Sequence, residues 1–458
     1  MIVQSSHKLL CCTFALVFFL GVFPAECFCQ RDESIVISSA PSPVGSGARA
    51  AGIGSAFIAV ADDATAASWN PAGLIQLERA EVSAVGSFYH QQDDIGSVPQ
   101  DRDFQISAGG NSTDSVDLNF LSVAYPFELL GRNVVVSANY QRQLDFNRDL
   151  EFFVEREVPN PEEPMSLTGD VQMKQQGGLA AVSPSLAVEI IPTLSVGVAV
   201  NFWIDQLYLD YSWKRETTLK SSFGSETLGF IESFTVERDT YKNFFGVNAT
   251  FGILWNIYRG LSFGCFFESG FSADVDREIF FQTQSDGQVD DPDESAEEIH
   301  VDLPKSFGVG LSMRFSDSFM VTADYTRVFW QDFVFRNEAG DEYDVQGRPI
   351  DESDIRATNT FRVGGEYLWI LDRIVIPLRF GGFYDPQPSQ GGSQDYFGFS
   401  IGNGVSFRRF TVDWAYQIRI GLNDTESSLL NIIGTGAFED VPVDVYQHLF
   451  LLSTVFRF

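Results

Sequence analysis

The 458-residue chain carries 62 acidic and 30 basic side chains, a formal charge of −32. Such a surplus repels phosphate backbones and excludes nucleic acid as a partner. Its 43 Phe, 14 Tyr and 39 Gly lie in alternating rather than continuous apolar stretches, so beyond the N-terminus no segment reaches the ~18 apolar residues of a membrane helix.

In chain order, His7 and Lys8 precede an apolar run from Leu9 to Val22, and Pro24-Ala-Glu-Cys-Phe-Cys-Gln30 follows. This predicts a secretory signal over residues 1–29, cleaved between Ala25 and Gln30. Lipidation at Cys27 or Cys29 is the poorer reading, because Glu26 and Phe28 are unsuitable neighbours. Four of the five cysteines (11, 12, 27 and 29) fall here, leaving Cys265 in the strand-like run Leu261 to Phe267. No disulfide framework is expected, and Cys265 reads as a small apolar thiol.

Residues 30–79 form a separate unit, small-residue-rich, without period-2 alternation, and ending at the Trp69-Asn-Pro-Ala-Gly-Leu74 turn. From Ala80 onward, period-2 segments alternate with turns. Fourteen strands are predicted, at 80–91, 115–127, 131–157, 167–190, 193–220, 224–257, 260–282, 298–316, 318–336, 354–371, 374–385, 394–407, 410–421 and 443–458. Several exceed the ~9–11 residues that cross a bilayer, so they should project beyond it on one side. The acidic stretches 155–163, 286–298 and 337–354 read as solvated loops opposite short turns.

The alternation assigns faces. Phe410, Val412, Trp414, Tyr416, Ile418 and Ile420 share one side, while Thr411, Asp413, Ala415, Gln417 and Arg419 share the other. The last strand puts Phe458, Phe456, Leu452 and Phe450 on one face and ends on an aromatic residue, as outer-membrane barrels do. Charges on the opposite faces would be rejected by a dry sandwich core. The fold class is therefore all-β, an antiparallel transmembrane β-barrel with lipid outside and a polar lumen. Inward charges are expected at Asp324, Arg362, Glu366, Arg379, Asp413 and Arg419.

Catalytic chemistry finds no support. Gly398-Phe-Ser-Ile-Gly402 has hydrolase spacing but lies within an alternating strand, without the strand-to-helix elbow that exposes a nucleophile. His7, His90, His300 and His448 are scattered singly, so no zinc site, other metal or cofactor is expected.

Gly47-Ala-Arg-Ala-Ala-Gly52, Ala61-Asp-Asp-Ala64 and Trp69-Asn-Pro-Ala-Gly-Leu74 resemble the hatch of FadL-type long-chain fatty acid transporters (OmpP1/FadL/TodX-like barrels). Further matches follow in order at Leu303–Leu311, Phe361–Tyr367, Leu378–Pro388 and Val412–Tyr416. The resemblance implies a fourteen-stranded barrel over residues 80–458, plugged by a hatch at 30–79 that carries the motif Asn70, Pro71, Ala72. It also implies a passive outer-membrane transporter for long-chain fatty acids or similar small hydrophobic molecules. Its partners would be that ligand, outer-membrane lipid, and the barrel-assembly machinery reading the strand that ends at Phe458. Ligand contacts are expected from Phe57, Trp69 and Leu74 in the hatch and from Arg362 or Arg379, whose guanidinium forks suit a carboxylate. The bland reading pairs these arginines with neighbouring carboxylates. Two rival functions stay open, an accessory scaffold barrel such as those of secretion systems, which share the hatch signature, and a diffusion porin. Pro184 is the expected wall kink for sideways exit.

Overall fold

The computed structural model describes residues 46–95, 105–108, 111–158, 163–424 and 443–458. The signal and cleavage readings on residues 1–45 lie outside the described residues. Fourteen strands close into one antiparallel barrel: β1 (Glu81–Ile95), β2 (Asn111–Leu129), β3 (Arg132–Asp145), β4 (Met165–Ile191), β5 (Leu194–Ile204), β6 (Gly229–Tyr258) and β7 (Leu261–Glu268). The second half comprises β8 (Ser306–Ser316), β9 (Phe319–Val328), β10 (Thr358–Ile370), β11 (Val375–Tyr384), β12 (Tyr396–Phe407), β13 (Phe410–Asp424) and β14 (Val443–Arg457). Each pairs with its neighbours in sequence, and β14 returns to β1 over the register Glu81↔Arg457 to Ile95↔Val443. Closure removes the unpaired edges that hydrocarbon cannot satisfy.

Burial follows the alternation. Phe397, Phe399, Ile401 and Val405 point outward and are exposed, whereas Gly398, Ser400, Gly402 and Gly404 are buried. The exposed set over the whole wall is aromatic and aliphatic, including Tyr125, Phe127, Trp255, Phe361, Trp369, Phe450 and Phe456. All six expected inward charges are buried. Tight turns such as Leu130-Gly131, Pro192-Thr193 and Arg408-Arg409 sit at one end, with Leu130, Gly131 and Arg408 at positive φ.

The other end departs from expectation. The predicted segments 131–157, 193–220, 260–282, 298–316 and 318–336 are not single strands. Each breaks near residues 146–147, 205–212, 269–270, 304–305 or 329–333. Beyond each break the chain pairs in a second antiparallel sheet, which also takes in the upper halves of β4 and β6. Period-2 alternation persists across a change of hydrogen-bond partner, so the pattern ran through the breaks. The acidic stretches are correspondingly not plain loops. Arg148–Val158 and Asp293–Leu303 are strands, and Asp344, Val345 and Gln346 are buried. An apolar cluster including Trp203, Trp213, Tyr241, Phe244, Phe333 and Phe335 joins the barrel mouth to this sheet, with Trp213 stacked 4.3 Å from Tyr241.

Candidate functional site

Residues 46–77 make two short helical pieces, α1 (Ala48–Gly52) and α2 (Ala66–Trp69), and a 3₁₀ turn at Pro71–Gln76. Neither helix is long enough to be stable alone. What holds them is the inner wall, to which the segment is bonded almost right around the ring. Ala48 N donates to Ser453 Oγ at 2.7 Å, Gly54 N to Ser400 Oγ at 2.8 Å and Ile58 N to Asp324 Oδ2 at 2.8 Å. Across the ring, Ser195 Oγ donates to Ala72 O at 3.0 Å.

Asn70 shows why its residue type suits the turn. Fully buried, it donates through Nδ2 to Ile58 O and Ile253 O, both at 3.0 Å, and Oδ1 accepts from Ala72 N at 3.2 Å. One amide thereby satisfies two carbonyls and the N–H beyond Pro71, which itself has none to offer. The approach is so close that a Cβ on Gly252 would lie 2.1 Å from Asn70 Oδ1.

The inward charges form networks. Arg379 donates to Glu366 Oε2 through Nε and to Asp413 Oδ1 through Nη1, both at 2.7 Å, and Arg49 reaches Glu366 at 3.0 Å while pairing with Asp62. Higher in the lumen, Asp385 is shared by Arg362 at 3.4 Å and Arg419 at 3.3 Å. Two guanidinium groups thus share one carboxylate.

This group borders a cavity of about 140 Å³ between residues 46–69 and the wall. Trp69, Phe383, Leu449 and Leu451 supply apolar surface, while Arg142, Arg362 and Arg419 supply cationic groups and Asp145 and Asp385 carboxylates. The structure thus brings Trp69 and Arg362 together on one cavity. It does not bring the other candidates there. Phe57 and Leu74 are fully buried within the segment's own apolar packing, Phe57 lying edge-on to Trp69 at 6.0 Å. Arg379 is held between its two carboxylates, away from the cavity lining. Arg142 and Arg419 line the cavity as well. Alternation had marked Arg419 as inward, but nothing in the pattern distinguished Arg142.

Two other expectations concern single positions in the wall. Pro184 keeps its place opposite Ala138, and the β4–β5 ladder skips residues 183 and 184 without changing register. A missing proline N–H interrupts the ladder at this point but shifts no register. The histidines are not all isolated. His90 and His448 lie directly opposite on the β1–β14 seam with rings 5.7 Å apart, and Tyr416 Oη bonds His448 Nδ1 at 2.7 Å. No cluster of three or more metal-ligating side chains occurs among the described residues.

Comparisons with known proteins agree with this architecture. The model of the outer membrane protein transport protein family (OMPP1/FadL/TodX) matches residues 44–417. Among solved structures, a Pseudomonas aeruginosa FadL homologue superposes with a TM-score of 0.59 at 13% identity, covering 90% of this chain and 98% of its own. The monoaromatic hydrocarbon channel CymD gives 0.55 at 16% identity, over 92% and 99%. The Pseudomonas putida toluene transporter TodX gives 0.54 at 12% identity, over 91% and 98%. At such identities the likeness shows the fold. A search of curated sequences finds no match.

Proposed function

Because the chain belongs to the outer membrane protein transport (OMPP1/FadL/TodX) family and forms a fourteen-stranded outer-membrane barrel, we propose that it carries small hydrophobic molecules, long-chain fatty acids among them, passively across that membrane. Residues 30–79 act as a hatch, with Asn70-Pro71-Ala72 as its anchor, and residues 80–458 as the barrel. The observation that carries this reading is the cavity on the hatch, where Trp69, Leu449 and Leu451 meet Arg362 and Arg419. A cavity near 140 Å³ is of the size that holds one benzene-like group. It therefore suits an aromatic hydrocarbon, or the carboxylate and first carbons of a fatty acid whose tail extends beyond it.

Guanidinium chemistry supports the acid. A carboxylate entering here would meet the forks of Arg362 and Arg419, which Asp385 holds in place. Hydrogen bonds to ionised groups are worth roughly 1.5–3 kcal/mol. Arg362→Ala is accordingly expected to weaken binding of a long-chain fatty acid by about tenfold or more, read by calorimetric titration of the refolded, delipidated barrel. An apolar aromatic ligand should lose far less from the same substitution. A verified folded barrel that binds neither ligand would favour the accessory-scaffold reading.

The terminal strand supports a further part of the proposal. Phe450, Leu452, Phe456 and Phe458 are exposed on the outer face, as an element read by the assembly machinery would be. Deleting Phe458 is expected to lower the amount of heat-modifiable barrel in outer-membrane fractions without changing synthesis. Unchanged membrane levels would remove that role from the residue.

A further inference from the structure

The chain is acidic as a whole, but one end of the barrel is not. Six tight turns join the strands there, at residues 129–132, 191–194, 258–261, 316–319, 370–375 and 407–410. They hold Arg132, Arg259, Arg373, Arg408 and Arg409 against Asp317 and Asp372. Within two residues of the turns, Arg314 adds to this excess while Glu128 and Glu189 offset it. Where β14 meets β1 the charges balance, since Arg457 pairs with Glu81 and Glu78 is followed by Arg79. In a chain of formal charge −32, this end therefore carries more cations than acids.

All five turn arginines are exposed, and none forms an ion pair among the described residues. They are spread round the ring rather than gathered on one side. The turns that bear them follow β2, β6, β10 and β12, so neighbouring arginine turns are never more than four strands apart. Each lies beside lipid-facing rings. Phe127, Trp255, Phe315, Trp369, Phe407 and Phe410 are exposed within three residues of a turn, and such a belt marks the depth of a bilayer interface. Arg408 is kept at that depth, with its guanidinium 5.3 Å over the Phe407 ring. Its backbone has φ 53°, a left-handed conformation that Gly or Asn takes more readily. Arginine stands there against the local backbone preference.

We propose that these turns form a cationic ring that binds the phosphate groups of anionic phospholipids. Short turns face the periplasm in outer-membrane barrels, so the ring meets the inner leaflet. A guanidinium fork matches two phosphate oxygens at once. A zwitterionic headgroup brings its own ammonium to the same phosphate and gains less. A soluble acidic partner would favour cations grouped on one arc, whereas an annulus of lipid favours cations all the way round and next to the aromatic belt. The ring is independent of whatever solute the barrel carries. Phosphate contacts around it would fix the depth at which the wall sits in the bilayer.

The test uses the full barrel in phosphatidylcholine vesicles, with Trp fluorescence quenched by brominated phosphatidylglycerol or by brominated phosphatidylcholine. Trp255 and Trp369 face lipid beside the turns and report the headgroups there. At low salt, brominated phosphatidylglycerol is expected to associate about fivefold more strongly, the factor that one cation near an anionic surface supports. In 1 M salt, where screening acts within about 3 Å, the ratio should approach one. Replacing all five turn arginines by Gln, with folding checked by heat-modifiable migration, should abolish the preference at low salt. Arg408→Gln with Arg409→Gln leaves three arginine turns intact and should lower it partway. Lys214→Gln with Lys220→Gln, at the opposite end, should leave it unchanged. Equal quenching of the wild type by both lipids overturns the proposal and leaves the ring to a soluble acidic partner. A preference that survives loss of the five arginines, or that falls with the lysine pair instead, overturns it as well.

Discussion

Arg379→Ala is expected to destabilise the barrel by about 3–5 kcal/mol, the range seen when one partner of a buried ion pair is removed. The side chain is 6% exposed and bridges Glu366 and Asp413, themselves 2% and 4% exposed. Glu366 would keep Arg49 at 3.0 Å, but Asp413 would lose the guanidinium that neutralises it. The loss is therefore mostly the penalty of a stranded carboxylate, and Arg379→Met combined with Asp413→Asn should recover much of it. The measurement is the urea midpoint of the heat-modifiable band, together with fatty acid affinity. Arg379 acts through the wall and hatch, so affinity per folded molecule should change less than in Arg362→Ala. The opposite ranking would move the head-group site to Arg379.

Gly364→Val should expel or displace the hatch. Gly364 lies on the inward face of β10, and a Cβ there would sit 2.1 Å from the carbonyl oxygen of Ile53 and 2.6 Å from its carbon. The obstacle is backbone, so no rotamer change relieves it. Ordinary overpacking costs about 1–3 kcal/mol, and a clash this close forces the segment away from β10. The hydrogen bonds of Gly54 and Ile58 to Ser400 and Asp324 flank that point and would be lost together. The wild-type barrel in a planar bilayer is expected to conduct ions poorly, and the variant to conduct as an open pore. A variant with wild-type conductance and an unchanged unfolding midpoint would show that residues 46–77 do not plug the lumen.

Much of this was legible in the chain. Alternation at 361–369, 397–407 and 410–420 named the outward aromatics and four of the six buried lumen charges, Arg362, Glu366, Asp413 and Arg419. It does so because each strand has lipid on one side and a polar interior on the other. Asn70 could be singled out because an Asn-Pro turn has specific backbone needs. Less of the site was legible. Arg362 and Arg379 are equivalent by pattern, both inward on adjacent strands. Only the placement of Asp385 and Asp413 puts one on a cavity and buries the other in a bridge. His90 and His448 are 358 positions apart and meet solely because the last strand closes on the first.

By itself, then, the sequence determined the class of the fold, the number of crossings, which face of each strand meets lipid, and the polar character of the lumen. These follow from a local rule, side chains alternating across a pleated strand at period 2. Tertiary structure alone decided where strands leave the barrel for the second sheet, where the β2–β3 ladder stops at Phe120↔Gln141, and which arginines border the cavity. The physical reason is that backbone hydrogen bonding is blind to side chains. A strand can change partners, or lose one, without altering the alternation that the sequence displays.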